Sequence, residues 1–530
     1  MNLALVHRRN EKLYPNKLAV ICGDRRVTFA ELEARVNRLV NALLARGVRK
    51  GDRIAILAKN CVELFEVYGA AEKGGFIIVP LNWRLQPHEL AVLINDCSPS
   101  VLFVEQGYVE AINSIRAQVP GVGHFVAIGT EAAGSEAVAD LEGFGAGYQN
   151  YEAVLQGASV EDAGIEVLED DVAYIIYTSG TTGLPRGAMH THRGQVEDAR
   201  TLSLEIGIVP SDVYLSTMPL FHIGGHAVAL AYFHRGATNL VMRDFDAEEM
   251  LRLIHRERVT SVQVVPTMIA FALDLPNLAS YDVSSLRTIF YASAPMPVAL
   301  LRRSMEVFGN IFFQAYGQTE SGPVITVLRK EDHVPNGSER EVRRLASCGR
   351  AALDVDVRVV DEQGREVRPG EVGEIIARSD WNMIGYWNQP ELTEQTIRKG
   401  WLYTGDMATV DEDGYIYIVD RKKDMIISGG ENIYPREVEE VLYRHPAVLE
   451  AAVIGVPDDK WGESVKAVVV LKSGASATEA EIIEHCKAGL ASYKKPKSVD
   501  FVQVLPKTPS GKVLKRDLRE RYWQGRERRV

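Results

Sequence analysis

Cysteine is scarce in this chain of 530 residues: there are five, Cys22, Cys61, Cys97, Cys348 and Cys486, and no two form a C-x-x-C pair. An odd number without paired spacing argues against a disulfide framework and a zinc site, and fits thiols kept reduced in a cytoplasm. No uninterrupted apolar run reaches the length of a membrane span. Met1-Asn2-Leu3 leads directly into polar residues, so no signal peptide is expected. Excess positive charge is lacking too: a formal charge of −11 speaks against nucleic-acid binding by the chain as a whole. A Walker A loop, G-x-x-x-x-G-K-[ST], is missing. What remains is an expected soluble, cytoplasmic protein without a transmembrane segment. Peripheral membrane contact and assembly, monomer or homodimer, stay open.

The composition, 46% hydrophobic and 25% charged, is that of an ordinary globular protein, and the length calls for two or more domains. Strand and helix signals alternate from the start. Lys17–Ile21 and Arg26–Phe29 flank a Gly23-Asp24 turn. Thr28 with Glu31 three residues on is a capping box, followed by Leu32, Val36, Leu39, Val40, Leu43 and Leu44 at helical spacing. Asp52–Leu57, Phe76–Pro80, Val101–Val104, Phe125–Ile128 and Val172–Tyr177 read as strands, as do Asp212–Leu215, Ala237–Val241 and Ser261–Val265. The fold class is therefore α/β, with parallel sheets and helical crossovers. The Gly/Ala/Glu-rich stretch Gly129–Gly164 reads as a surface insertion. From Asp354 short β segments and glycine turns indicate a β-rich subdomain, ended by the charged break Asp420–Asp424. A small α+β domain of about one hundred residues follows.

The chemistry-bearing stretches begin with Tyr177-Thr178-Ser179-Gly180-Thr181-Thr182-Gly183-Leu184-Pro185-Arg186-Gly187. Glycines let the backbone turn its N–H groups toward an anion, and hydroxyls add donors and can ligate a hard cation, so the loop reads as a phosphate cradle. Four stretches accompany it. Gln314-Ala315-Tyr316-Gly317-Gln318-Thr319-Glu320 puts an aromatic face, a hydroxyl and a carboxylate in one turn. Gly400–Asp406 ends in a carboxylate suited to a ribose diol. Arg421–Pro435 contains Ser428-Gly429-Gly430. Leu505–Lys512 ends in a lysine on a Pro/Gly-stiffened loop, a point charge suited to phosphate. Each alone has a plain explanation, a connector, a cap, a linker or a surface lysine. Together and in this order they are specific.

The set resembles the superfamily of adenylate-forming enzymes, most closely the bacterial fatty- and aryl-acid CoA ligases, over about Leu13–Arg519. The resemblance implies a large N-terminal AMP-binding domain, residues 1–420, of αβ-layered subdomains plus the β-rich subdomain. A hinge at 421–424 and a small mobile C-terminal domain, 425–530, complete it. It implies a two-step reaction: a carboxylate attacks the ATP α-phosphate to give acyl-adenylate and pyrophosphate, and coenzyme A then displaces AMP. By the same resemblance Thr178, Ser179, Gly180, Thr181, Thr182 and Gly183 hold the β- and γ-phosphates. Ser293, Ala294, Pro295, Gln314, Tyr316 and Gly317 line the nucleotide, and Thr319 touches the α-phosphate. Glu320 with Thr178 serves Mg2+, Asp406 and Arg421 bind ribose, and Lys512 is the catalytic cation. Lys423 is the hinge position, and Ser428, Gly429 and Gly430 border the path of coenzyme A.

Pro219–Gly225 resembles the family's loop beside the acyl pocket, with His222 near the carboxylate or gating the pocket. It carries no acidic residue, which argues for an uncharged acid tail. Val264, Pro266, Tyr291, Ala292, Gln314, Gly317 and Val324 are pocket walls by resemblance, so a fatty, branched or aromatic acid is expected. Arg186 stands where the family usually has lysine, a planar fork for a point charge. From Lys512 to Val530 there are eight lysines and arginines against three acidic residues, read as a solvated basic terminus. The competing readings are an adenylation enzyme loading a carrier protein, a non-catalytic nucleotide-binding protein and, distantly, a luciferase. The chain ends soon after Lys512 without a carrier domain, which favours the CoA ligase.

Overall fold

Parallel strands that are apolar at every position must be covered on both faces, and these segments are. In the strand Arg53–Leu57, Ile54, Ala55, Ile56 and Leu57 are each no more than 1% exposed. The computed structural model describes residues 1–129, 147–178, 186–292, 296–421, 424–428, 431–458, 460–507 and 513–524 (Asn432 by its backbone alone). The chain divides into two compact units, Met1–Asp356 with Ala377–Leu402, and Val357–Ile376 with Tyr403–Val530.

The first unit holds two sheets. One has nine strands, in spatial order Arg350–Ala351, Thr326–Leu328, Phe312–Tyr316, Thr288–Tyr291, Ser261–Val264, Val213–Ser216, Thr238–Val241, Leu18–Cys22 and Arg25–Thr28. Its six central strands, Phe312–Tyr316 through Leu18–Cys22, are parallel, with antiparallel additions at both edges. The other has eight, in the order Gly385–Tyr386, Arg186–Thr191, Val172–Thr178, Ile77–Pro80, Arg53–Leu57, Val101–Glu105, His124–Ile128 and Tyr148–Asn150. Only Arg186–Thr191 and Gly385–Tyr386 join it antiparallel.

The expected capping box is present. Thr28 N donates to Glu31 Oε2 at 2.8 Å, Glu31 N donates to Thr28 Oγ1 at 3.2 Å, and the helix Phe29–Ala45 follows. Such a cap contributes about 1 kcal/mol. The helix buries Leu32, Val36, Leu39, Val40 and Leu43 in a core that also takes Val20 from the nine-stranded sheet and Ile54 from the eight-stranded one.

One expectation is corrected. Gly129–Gly164 is not simply a surface insertion: Tyr148–Asn150 is a strand paired in parallel with His124–Ile128, and Tyr151–Leu155 is a helix. Tyr151, Val154 and Leu155 are 2–3% exposed, and Tyr151 O–H donates to Glu66 Oε2 at 2.7 Å. The apolar side chains at 148, 151, 154 and 155 outweigh the polar composition around them. Residues 130–146 lie outside the described residues.

Most residues of the strands Asp356–Val360, Gly373–Arg378, Trp401–Val410 and Ile416–Arg421, which belong to a small sheet, fall in the second unit. A further sheet carries Ile426–Ser428, Glu431–Ile433, Val448–Asp458, Gly462–Leu471 and Ser498–Phe501, covered by Pro435–Leu442 and Glu479–Gly489. All five cysteines are buried and none is in a disulfide. Among the described residues no helix is long and apolar enough to cross a membrane.

The core of the first unit buries histidines. Burial pushes His190, His192, His226 and His333 down to about 4. These rings are neutral when folded, whereas the unfolded chain takes up protons near pH 6.5. Stability is therefore complete above pH 6.5 and is lost as pH falls toward 4, each ring contributing up to about 3 kcal/mol of that loss. Urea midpoints measured between pH 7.5 and 4.5 should fall steeply below 6.5. A flat profile would contradict the neutral burial of these rings.

Candidate active site

Thr178 ends the strand Val172–Thr178, and its register partner across the antiparallel hairpin is Arg186. Ser179, Gly180, Thr181, Thr182 and Gly183 lie outside the described residues. At Gly187 a Cβ would come within 2.6 Å of Ile175 Cγ2 and 3.2 Å of the Tyr177 ring, so only glycine lets the hairpin close. Gly385–Tyr386 extends this edge, with Tyr386 opposite Ala188. Trp387 is fastened by its N to Gly187 O at 2.7 Å and by Nε1 to Asp96 O at 3.1 Å.

The second stretch leaves the nine-stranded sheet at Tyr316. At Gly317 a Cβ would sit 1.9 Å from Pro323 O, an overlap with backbone that no side chain tolerates. The chain then makes a tight turn over Thr319–Ser321, with Gln318 N donating to Ser321 Oγ at 3.0 Å. Glu320 is joined to the Tyr386 element twice. Met383 N donates to Glu320 O at 2.8 Å, and Tyr386 O–H donates to Glu320 Oε1 at 2.8 Å. Burial and the neighbouring Glu320 carboxylate keep the Tyr386 hydroxyl protonated. The turn bearing Thr319 and Glu320 and the strand edge beside Thr178 and Arg186 thus form one cluster.

His222 is the N-cap of the helix Ile223–His234; its Nδ1 accepts from Gly224 N at 3.1 Å, which places the proton of the neutral ring on Nε2. The expected pocket walls do not gather on one face. Val324 belongs to the same core as Ile223, Ala227 and Val228 of the His222 helix. Val264 and Tyr291 belong to the core on the opposite face of the sheet. His333 Nδ1–H donates to Arg329 O at 2.7 Å, so its Nε2 accepts from Tyr291 O–H at 3.0 Å. Gln314 Oε1 lies 3.3 Å from the same hydroxyl.

Of the alternate residues on these strands, Phe290, Phe313 and Ala315 belong to the same core as Ile223, and Gln263 is bonded to the helix. Gln263 Nε2 donates to Gly224 O at 2.9 Å while its Oε1 accepts from Tyr214 O–H at 2.8 Å. Period-two alternation along each strand separates these residues from Val264 and Tyr291.

In the second unit Asp406 and Arg421 are register partners on antiparallel strands, and Arg421 Nε donates to Asp406 Oδ1 at 2.8 Å. Asp406 is 4% exposed; its N donates to Thr404 Oγ1 at 3.1 Å, and Thr404 Oγ1 donates to Ile375 O at 2.7 Å. Ser428 ends a strand whose hairpin partner is Glu431. Ser293, Ala294, Pro295, Lys423, Gly429, Gly430 and Lys512 lie outside the described residues.

The family model for AMP-binding enzyme matches residues 7–387, and that for the AMP-binding enzyme C-terminal domain matches 437–512. The chain belongs to the AMP-binding enzyme family and is an AMP-forming acid–thiol ligase of the acyl-CoA synthetase type. It is 39% identical over 515 residues to a feruloyl-CoA synthase from an Amycolatopsis species, covering 97% of this chain and 98% of that protein. It is 36% identical over 528 residues to the fatty acid–[acyl-carrier-protein] ligase ScoC of Streptomyces coeruleorubidus, covering 99% and 96%. The ATP-bound structure of MatB from Rhodopseudomonas palustris superposes with a TM-score of 0.87 at 33% identity, covering 98% of this chain and 99% of that one.

Replacing Gly317 by alanine should force the turn away from Pro323. Overpacking of this kind costs about 1–3 kcal/mol. A thermal midpoint lowered by several degrees, with adenylate formation reduced at least tenfold, is expected. Wild-type melting together with wild-type adenylation would show that the turn accommodates the methyl group.

Proposed function

We propose that the enzyme joins a carboxylic acid to coenzyme A through an acyl-adenylate. The observation that carries this reading is the 2.8 Å bond from Tyr386 O–H to Glu320 Oε1, which gathers Glu320 and Thr319 beside the hairpin of Thr178 and Arg186. In the first step a carboxylate oxygen attacks the α-phosphorus of ATP, the bond to the β-phosphate oxygen breaks, and pyrophosphate leaves. Thr178 and Ser179–Gly183 hold the leaving phosphates, and Thr319 holds the α-phosphate. Ser293, Ala294, Pro295, Gln314, Tyr316 and Gly317 border the adenine, and Asp406 with Arg421 the ribose. Lys512 stabilises negative charge developing between the acid and the α-phosphate, the kind of preorganised electrostatic stabilisation that is commonly the largest catalytic term. In the second step the thiol sulfur attacks the acyl carbon and AMP departs. Ser428, Gly429 and Gly430 border the thiol's path, and Lys423 is the pivot between the two steps.

Magnesium fits the residues present. Glu320 and Thr178 are hard oxygen donors, and among the described residues no three His, Cys, Asp or Glu side chains form a metal cage. One carboxylate completed by substrate phosphates is how Mg2+ is usually held. When bound, the ion supplies neutralising charge to the phosphates. The acid is fatty, branched or aromatic, because the Pro219–Gly225 loop lacks an acidic partner for a charged tail and Ile223, Ala227, Val228, Phe290, Phe313 and Val324 are apolar. His222 orients its carboxylate end. The use of ATP and coenzyme A supports a cytoplasmic reaction. A second reading, loading of a carrier protein's phosphopantetheine, is supported by the likeness to the carrier-protein ligase.

Pyrophosphate release with a panel of fatty and aryl acids tests the class, and trapping the product on free coenzyme A or on a carrier protein separates the two readings. Lys512→Ala should lower adenylate formation by two orders of magnitude or more while leaving thioester formation from supplied acyl-adenylate within about threefold. Equal loss in both half-reactions would remove Lys512 from its assigned step.

A further inference from the structure

One aromatic hydroxyl in the first unit is aimed at the carboxylate assigned to the metal side of the site. Tyr386 O–H donates to Glu320 Oε1 at 2.8 Å, and Tyr386 itself is 4% exposed. Its placement is over-determined. The backbone is paired opposite Ala188, and Tyr386 N donates to Thr393 Oγ1 at 2.8 Å. Thr393 Oγ1 in turn donates to Gln389 O at 2.8 Å. The preceding Gly385 has φ +155°, and a Cβ there would lie 2.9 Å from Thr393 Cγ2, so the turn into Tyr386 admits no side chain. The tyrosine packs in a small core with Ala188, Met383 and Leu402. Trp387, the next residue, is held at Gly187 O and Asp96 O.

The consequence is a carboxylate with two unequal oxygens. Oε1 is engaged by a rigidly held donor, while Oε2 makes no hydrogen bond among the described residues. The main-chain bond from Met383 N to Glu320 O at 2.8 Å fixes the backbone under it. Outer partners of this kind orient a ligating carboxylate and set its affinity for a cation. We propose that Tyr386 is a positioning residue that locks the Glu320 carboxylate in one orientation and presents Oε2 to the divalent cation accompanying ATP. This inference rests on the reading of Glu320 as the metal-side carboxylate.

The test uses the full chain and the variants Tyr386→Phe and Glu320→Gln. The phenylalanine keeps the ring in its packing and removes only the donor. Two quantities are measured: the Mg2+ concentration giving half-maximal ATP–pyrophosphate exchange, and calorimetric binding of ATP without acid, with Mg2+ and with EDTA. For Tyr386→Phe the half-saturating Mg2+ concentration should rise about tenfold, within the usual range for such partners. Binding of the Mg2+–ATP complex should weaken similarly, metal-free ATP should bind as in the wild type, and excess Mg2+ should restore the maximal rate to within twofold.

An unchanged Mg2+ dependence would overturn the proposal. So would a loss that excess Mg2+ does not rescue and that extends equally to metal-free ATP, since that marks general structural damage. If Glu320→Gln leaves the Mg2+ dependence unmoved, the reading of Glu320 itself falls. If Glu320→Gln shifts it and Tyr386→Phe does not, only the positioning role falls.

Discussion

Six neighbouring parallel strands buried on both faces constrain everything else in the first unit. Such strands have no surface to offer a ligand except at their ends, and in open parallel sheets ligands bind beyond the carboxyl ends. The candidate residues obey this. Pro219–His222 follow Val213–Ser216, Pro266 follows Ser261–Val264, Ala292 follows Thr288–Tyr291, and Gly317–Glu320 follow Phe312–Tyr316. In the second sheet Thr178 is the last residue of its strand.

Those ends are held by buried polar contacts between segments far apart in sequence. Asn60, just beyond Arg53–Leu57, donates from Nδ2 to Met218 O at 2.9 Å and Met242 O at 3.0 Å, and its Oδ1 accepts from Leu220 N at 2.9 Å. Tyr68 O–H donates to Leu220 O at 3.0 Å. The loop leading to His222 is therefore fixed by the other sheet. Charge is buried on the same terms. Arg35 Nε pairs with the fully buried Glu66 at 2.6 Å, and Glu72 accepts from His7 Nε2 at 2.7 Å and from Tyr174. Breaking one such pair typically costs about 3–5 kcal/mol, because the partner is left charged and buried. The neutral histidines nearby follow the opposite rule: burial disfavours their proton more than neighbouring carboxylates such as Glu72 favour it.

Strands and helices with strong local signals were legible in the sequence: the capping box at Thr28, the apolar run at Ile54–Leu57 and the strand Val172–Thr178. Tyr148–Leu155 was not, because four apolar side chains were scattered among glycine, alanine and glutamate. The residues expected to wall the acyl pocket divide between two cores. Val264 and Tyr291 lie in one core and Val324 in another, because neighbours in a strand point to opposite faces. Tyr386 escaped notice altogether, since nothing near it in sequence bears the carboxylate it serves.

The sequence alone determined the order of the candidate stretches and the residue types within them. Hydroxyls, glycines and carboxylates at these spacings constrain the backbone locally, and local constraints survive without a fold. Only the tertiary structure decided which of them meet. Glu320 and Tyr386, 66 positions apart in sequence, meet in a 2.8 Å contact because a two-residue strand at Gly385–Tyr386 completes the sheet edge beside Thr178 and Arg186. That pairing is a property of the assembled sheets, and no spacing along the chain encodes it.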